Sequence, residues 1–342
     1  MGNHKDDNRR YKTFNYPGAV PGSKTLLTGI RGVKKCDKLG PKVYISGFYE
    51  APEQPTISFI YKGYLNGKGK WYELNYPSSE GVTVTSTSLY GPNNGPCTGT
   101  VQVVGNFITE QSGTSALGCL YEGELDGFGK WTTLIPTSLT DEPILNTIAH
   151  STMGELIVGN YDTQLNQGKA FIYDIKRKIY HNIDKPNAKS ITAYGIWYNS
   201  RNSYTICGGF SDLDFKSGVD ASYLVDWNNK TYKFSNWRTY YYDNDPIKAV
   251  ITHFDGITSD GSGGYNLTGD WLGVGEGSEL GFFAHVKRNK HCGFGKAKWE
   301  AISFPGQPLT SGNSVYEDTV IGVYTSPDSE LDMVNGYISL KK

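Results

Sequence analysis

The amino-acid sequence predicts an all-β chain of 342 residues folded as one six-bladed β-propeller, with four antiparallel strands per blade and a ring closed by its N-terminal strand. The first observation behind this is a six-fold echo of glycine, any residue, aromatic: Gly47-Phe48-Tyr49, Gly105-Asn106-Phe107, Gly159-Asn160-Tyr161, Gly208-Gly209-Phe210, Gly269-Asp270-Trp271 and Gly322-Val323-Tyr324. A repeat of about 50 residues built from β-type segments points to radially arranged blades rather than stacked layers. The second is that each unit carries four strand-like runs in constant order. The third is a missing strand at one terminus that the other terminus supplies.

The second unit shows the four runs most plainly: 82–90 (VTVTSTSLY), 101–108 (VQVVGNFI), 117–122 (LGCLYE) and 130–135 (KWTTLI), the last stopped by Pro136. Alternation, β-branched residues and Gly, Pro, Asn or Ser boundaries are what half-buried strands require. The third run recurs as SFIYK, GCLYE, AFIYD, SYLVD, GFFAH and GYISL, each led by a small residue. Glycine weakens a strand interior, so a small residue there predicts close approach of a neighbouring blade.

The fourth run recurs as WYELNYP, WTTLIP, YHNIDKP, YKFSNW and WEAISFPG, usually ended by a proline that cannot donate to a ladder. Only five copies follow their own third run. The sixth matches residues 11–18 (YKTFNYPG), which are expected to complete the blade begun by 309–340 and so leave no unpaired edge. The predicted blades are 25–77, 82–136, 144–186, 190–237, 247–305 and 309–340 with 11–18, in one domain.

The units resemble a loose group of bacterial propeller repeats that read glycine-isoleucine, valine-glycine-x-tyrosine, glycine-phenylalanine and aspartate-x-proline-glycine-alanine. The matching pieces are Gly29-Ile30, the six triplets, Gly281-Phe282 and Asn15-Tyr16-Pro17-Gly18-Ala19. The resemblance implies a propeller and carries no activity with it.

Composition narrows the function classes. The N-terminus MGNHKDDNRR lacks the apolar stretch of a signal peptide, and no apolar run approaches the roughly 18 residues of a membrane span, so a soluble, cytoplasmic chain without membrane contact is expected. Asp6 stands where a myristoylation motif on Gly2 wants Ser or Thr. Cysteines 36, 97, 119, 207 and 292 are odd in number and unpaired in spacing, which suits a reduced compartment.

The formal charge of -1 conceals a division between loops. Connections from second to third strands hold Glu50, Glu53, Glu110, Asp162, Asp212, Asp214, Asp220, Glu276, Glu279, Asp328, Glu330 and Asp332 against little more than Lys169 and Lys216; the opposite face holds Lys62, Lys68, Lys70, Lys130, Lys176, Arg177, Lys178, Lys230, Lys287, Arg288, Lys290, Lys296 and Lys298. The acidic face would steer a cation, an amine or a basic protein partner. Basic residues without interleaved aromatics argue against nucleic acid. A monomer is expected.

Three columns of the aligned first strands break their own rule and supply the candidate site. His150 falls among apolar residues, His253 falls among Gly, Ala, Ser and Asn, and a final column mixes Arg31, Tyr90, Trp197 and Asp255. On an enzyme reading His253, Asp255 and His150 are the catalytic candidates and Arg31, Tyr90 and Trp197 the ligand-binding ones, because a near-neutral imidazole can act as base and an arginine or phenol can steady developing charge. The opposing reading is a plugged channel of satisfied polar residues. No axial metal and no cofactor are expected; calcium in the acidic rim loops stays open, and zinc at His285, His291 and Cys292 lacks a second ligand pair.

The segment 259–264 (SDGSGG) lacks the helix of a phosphate cradle and the tryptophan of an aspartate box, and reads as a hairpin turn. The expected function is a binding protein for a small cationic or sugar-like ligand or a basic protein; the alternative is a cofactor-independent hydrolase, lyase or cyclase with its site near the axis.

Overall fold

The computed structural model describes residues 9–34, 41–165, 168–212, 220–275, 277–289, 293–326 and 333–342. Cys36, Cys292, His291, Asp214, Lys216, Glu276, Lys290, Asp328, Glu330 and Asp332, named above, lie outside the described residues, as do Gly2 and Asp6. The described chain is all-β and propeller-like, with helix confined to two 3-10 turns at Thr137–Leu139 and Tyr242–Asn244. Among the described residues, no helix is long and apolar enough to cross a membrane.

Three four-stranded antiparallel meanders stand alone as sheets: Val84–Asn94, Val101–Thr109, Leu117–Gly123 and Lys130–Leu134; Ile144–Met153, Leu156–Thr163, Lys169–Asp174 and Ile179–Ile183; and Ala188–Ser200, Ser203–Asp212, Asp220–Asn228 and Lys233–Tyr240. The other fourteen strands form one sheet. Two of its links are single parallel pairs, Lys24↔Val334 and Leu280↔Thr310. The N-terminal strand runs Arg9–Thr13, earlier than the predicted 11–18, because Pro17 and Gly18 turn the chain away. It pairs antiparallel with Val334–Lys341, from Arg9↔Lys341 to Thr13↔Tyr337.

The six triplet glycines share one task. A methyl group at Gly47, Gly105, Gly159, Gly208, Gly269 or Gly322 would come within about 2 Å of a first-strand carbonyl oxygen: Leu26, Ser88, Ile148, Thr192, His253 and Ser311 respectively. At that level every first strand carries one residue more than its partner. Thr28, His150 and Tyr194 are skipped in their registers, Tyr90 and Gly91 oppose one residue, and 253–255 and 311–313 each oppose two. A β-bulge bends its strand and re-aims a side chain. The repeated glycine is therefore the seat on which each first strand bulges.

The small leading residues of the third strands do meet the next unit. A methyl at Gly118 would lie 2.9 Å from Thr147 Cγ2, and one at Gly336 would lie 2.8 Å from Leu27 Cγ; Ser222 Oγ donates to Thr252 O at 3.0 Å. Apolar clusters fill the space between sheets, such as Leu156, Val158, Ile172, Ile191, Ile206, Tyr223 and Trp227. Arg288 leaves the basic face assigned to it above. Its Nη1 donates to Asp226 Oδ1 at 2.9 Å and to Tyr265 Oη at 2.9 Å, tying neighbouring sheets together.

Candidate functional site

The bulged segments of the first strands meet in one pocket. Its walls are Leu26, Thr28, Phe48, Tyr90, His150, Tyr194, His253, Asp255, Asp270 and Asn313, enclosing about 310 Å³. All six first strands contribute. The pocket lies toward the strand ends that carry the second-to-third connections, since Leu26 begins its strand and Phe48 and Asp270 approach the ends of theirs. A larger cleft of about 750 Å³, lined by Lys34, Lys42, Lys62 and the 94–100 loop, lies off the axis.

One side of the pocket is an aromatic arc. His150 packs edge-on between Tyr90 at 5.1 Å and Tyr194 at 4.7 Å, Tyr90 neighbours Phe48 at 6.5 Å, and Tyr194 neighbours His253 at 6.1 Å. The other side is polar. Asp270 Oδ1 accepts from Gly312 N at 2.7 Å, and Asn313 Nδ2 donates to Leu27 O at 2.8 Å.

Burial sets the protonation states. It holds His150 down at about 4, against the partial support of Asn160 Oδ1, which lies 2.6 Å from Nε2. Burial likewise lowers His253, with Asp220 and Glu279 opposing. Both imidazoles are neutral near pH 7. Burial raises Asp255 well above the usual carboxylate range, helped by the charges of Asp270 and Glu279. Burial also raises Asp270 to about 7, with Glu279 adding and the Gly312 N–H opposing. Two buried carboxyls, one raised well above its usual range and the other titrating near neutrality, can serve as acid and base.

Of the predicted residues, Tyr90, His150, His253 and Asp255 line this pocket. Arg31 and Trp197 do not. Each lies near the far end of its first strand, with the Arg31 guanidinium carbon 5.0 Å from the Trp197 ring centroid. His150 is committed to Asn160 and neutral over the physiological range, so it is placed to shape the pocket rather than to exchange protons.

Asp270 escapes the sequence reading because it sits inside a triplet read as structural. The middle position of the triplet is where the signal lay: Phe48 lines the pocket, Asn160 holds His150, and a methyl at Gly209 would lie 2.6 Å from His253 Cδ2. Polar residues at that position, Asn106, Asn160 and Asp270, interrupt otherwise apolar runs. Among the described residues, no three His, Cys, Asp or Glu side chains converge to hold a metal ion. His285 Nε2 lies 2.9 Å from Asp260 Oδ2, and Asp260 Oδ1 accepts from Ser262 N and Gly264 N within the expected hairpin turn.

Substituting Asp270→Asn is expected to change the pH dependence of stability. The native carboxyl keeps its proton up to about 7, whereas an unfolded one loses it near 3.8. Its contribution is full below the unfolded value and is lost as pH rises through the folded one. At about 1.4 kcal/mol per pH unit, over a window of about 3 pH units, Asp270→Asn should gain up to about 4 kcal/mol on the native protein between pH 4 and pH 8. Thermal unfolding at a series of pH values checks this; an offset constant with pH would contradict it.

No family model matches this chain. No curated protein matches it by sequence. Solved structures with a similar backbone course include the exo-β-1,3-galactanase 1,3Gal43A of Clostridium thermocellum, at 9% identity, 96% of this chain, 86% of that one and a TM-score of 0.47. A mutant of AofleA from Arthrobotrys oligospora aligns at 12% identity over 96% and 86% with a TM-score of 0.43. A Bombyx mori GH32 β-fructofuranosidase mutant in complex with sucrose aligns at 7% identity over 92% and 88% with a TM-score of 0.39.

Proposed function

We propose that the chain is a single six-bladed β-propeller, closed by pairing of Arg9–Thr13 with Val334–Lys341, whose axial pocket is the active site of a cofactor-independent hydrolase or lyase for a small sugar-like molecule. The buried carboxyl pair Asp255 and Asp270 carries the reading. Asp255, whose carboxyl burial raises well above the usual range, donates to a leaving oxygen; Asp270, ionised in part, takes a proton from water or from a carbon of the substrate. The arc of Phe48, Tyr90 and Tyr194 offers an apolar face to a ring's C–H groups, while Thr28, His253 and Asn313 face hydroxyls. A volume of about 310 Å³ is at the small end for ligand sites.

A binding protein for a small cation is the second reading, favoured by one observation: the pocket is lined by two carboxyls and by no lysine or arginine. An ammonium group would supply the missing counter-charge and drive protons off both carboxyls.

Turnover of a panel of aryl glycosides and oligosaccharides, with thermal shift against sugars and amines, tests both. The enzyme reading expects turnover that falls at least about 100-fold in Asp255→Asn and Asp270→Asn. Stabilisation by amines with proton release and no turnover would transfer the conclusion to the binding protein.

A further inference from the structure

We propose that the axis holds a second site, for a single monatomic anion such as chloride, in the small cavity bordered by Arg31 on the side of the channel away from the carboxyl pocket. Arg31 is 7% exposed, and its Nε and Nη1 have no hydrogen-bond partner among the described residues. Arg9, the other arginine buried to this degree, has Glu300 Oε1 at 2.6 Å from its Nε. Arg31 has the face of Trp197 and the neighbourhood of Tyr316, neither of which carries a full negative charge. Burial pulls its pKa down to about 10, which still leaves it charged at neutral pH. An uncompensated buried charge is strongly destabilising, and buried polar groups left unpaired by protein are met by water or an ion.

The cavity fits one small ion. It measures about 20 Å³, enough for a single sphere the size of a water molecule or slightly larger. Glycines keep it narrow: a methyl at Gly91 would lie 2.7 Å from His150 O, and one at Gly256 would lie 2.8 Å from Ser314 Cα. Sulfate and organic carboxylates are too large for such a space. Ser151 and Ser314 border it and can turn hydroxyl hydrogens toward an anion. Asp255 also borders it, but among the described residues its carboxyl makes no hydrogen bond to Arg31 Nε or Nη1. The cavity shares Thr28, His150, Tyr194 and Asp255 with the carboxyl pocket.

The test compares thermal unfolding of the full chain in sodium chloride, sodium bromide and sodium gluconate at equal ionic strength and pH, with bromide anomalous diffraction from crystals of the same protein. Halides are expected to raise Tm by a few degrees, saturably, through preferential binding to the native state. Arg31→Met should lose the halide-specific increment, and a bromide peak should lie beside Arg31 in the native protein. Should Arg31→Met not fold, the native Tm series and the bromide peak decide together. Equal Tm in halide and gluconate overturns the proposal, and so does a halide effect without a peak at Arg31. A peak with no halide effect on Tm means binding at crystal concentration only, which overturns it as well.

Discussion

Deleting residues 1–18 is expected to leave little folded protein at room temperature. The removed segment does more than pair with the last strand. Phe14 is 6% exposed and packs against Tyr61 at 5.0 Å and Trp71 at 5.2 Å, on strands from the beginning of the repeat. Tyr16 stacks on Tyr49 at 5.1 Å and on Phe59 at 5.3 Å. In the other direction Arg9 reaches Glu300, Tyr11 meets Phe304 at 5.7 Å, and Thr13 Oγ1 lies 2.8 Å from Tyr324 Oη. The eight residues from Arg9 to Tyr16 thus join three units. Truncating one buried aromatic costs about 3 to 5 kcal/mol, and whole domains are stable by only about 5 to 15 kcal/mol. The deletion also exposes the backbone edge of Val334–Lys341 to pairing with other chains. Circular dichroism and size-exclusion chromatography would read the loss; a deletion variant that melts within a degree or two of the full chain would remove the support for closure.

Gly159→Ala is expected to be strongly destabilising. The added carbon would sit 2.1 Å from Ile148 O, 2.8 Å from Phe171 Cζ and 2.9 Å from Ala149 Cα. Two of these are backbone atoms of the bulged first strand, so relief requires that strand to move. Overpacking costs about 1 to 3 kcal/mol where side chains can yield, and about 3 kcal/mol or more is expected here because they cannot. Moving the strand also displaces His150, which stands between Tyr90 and Tyr194. Gly159→Ala should therefore lower both Tm and ligand affinity. Gly127→Ala is the control for glycine loss alone: nothing lies within 4 Å of its added carbon, so only the strain of its positive φ remains. Equal destabilisation by the two substitutions would show that strand crowding is not the cause.

Much of the fold was readable before any coordinates, because the strands announce themselves locally. Alternation in VTVTSTSLY, the run LGCLYE and the proline after KWTTLI each reflect the chain's own period and hydrogen-bonding capacity. The pairing of the two termini was also readable, since YKTFNYPG repeats the pattern of WEAISFPG. Four of the six candidate site residues converge for a related reason: a repeat makes equivalent positions comparable, and His150, His253, Tyr90 and Asp255 depart from their columns.

The rest depended on distance in space. Arg31 and Trp197 share a sequence column with Tyr90 and Asp255, yet the triplet glycines set Thr28 and Tyr194 at that level, so Arg31 and Trp197 each lie three residues further along their strands. Asp270 lies on a second strand and enters the axis only because the glycine before it lets the first strand bend.

What the sequence by itself determined is the all-β class, the order of strands within a repeated unit and the residues whose chemistry is unusual for their position. These are properties of period and propensity, and they act along the chain. What only the tertiary structure decided is which of those residues meet, and in what protonation state. Burial raises the Asp255 carboxyl well above its usual range, and no local pattern records that burial.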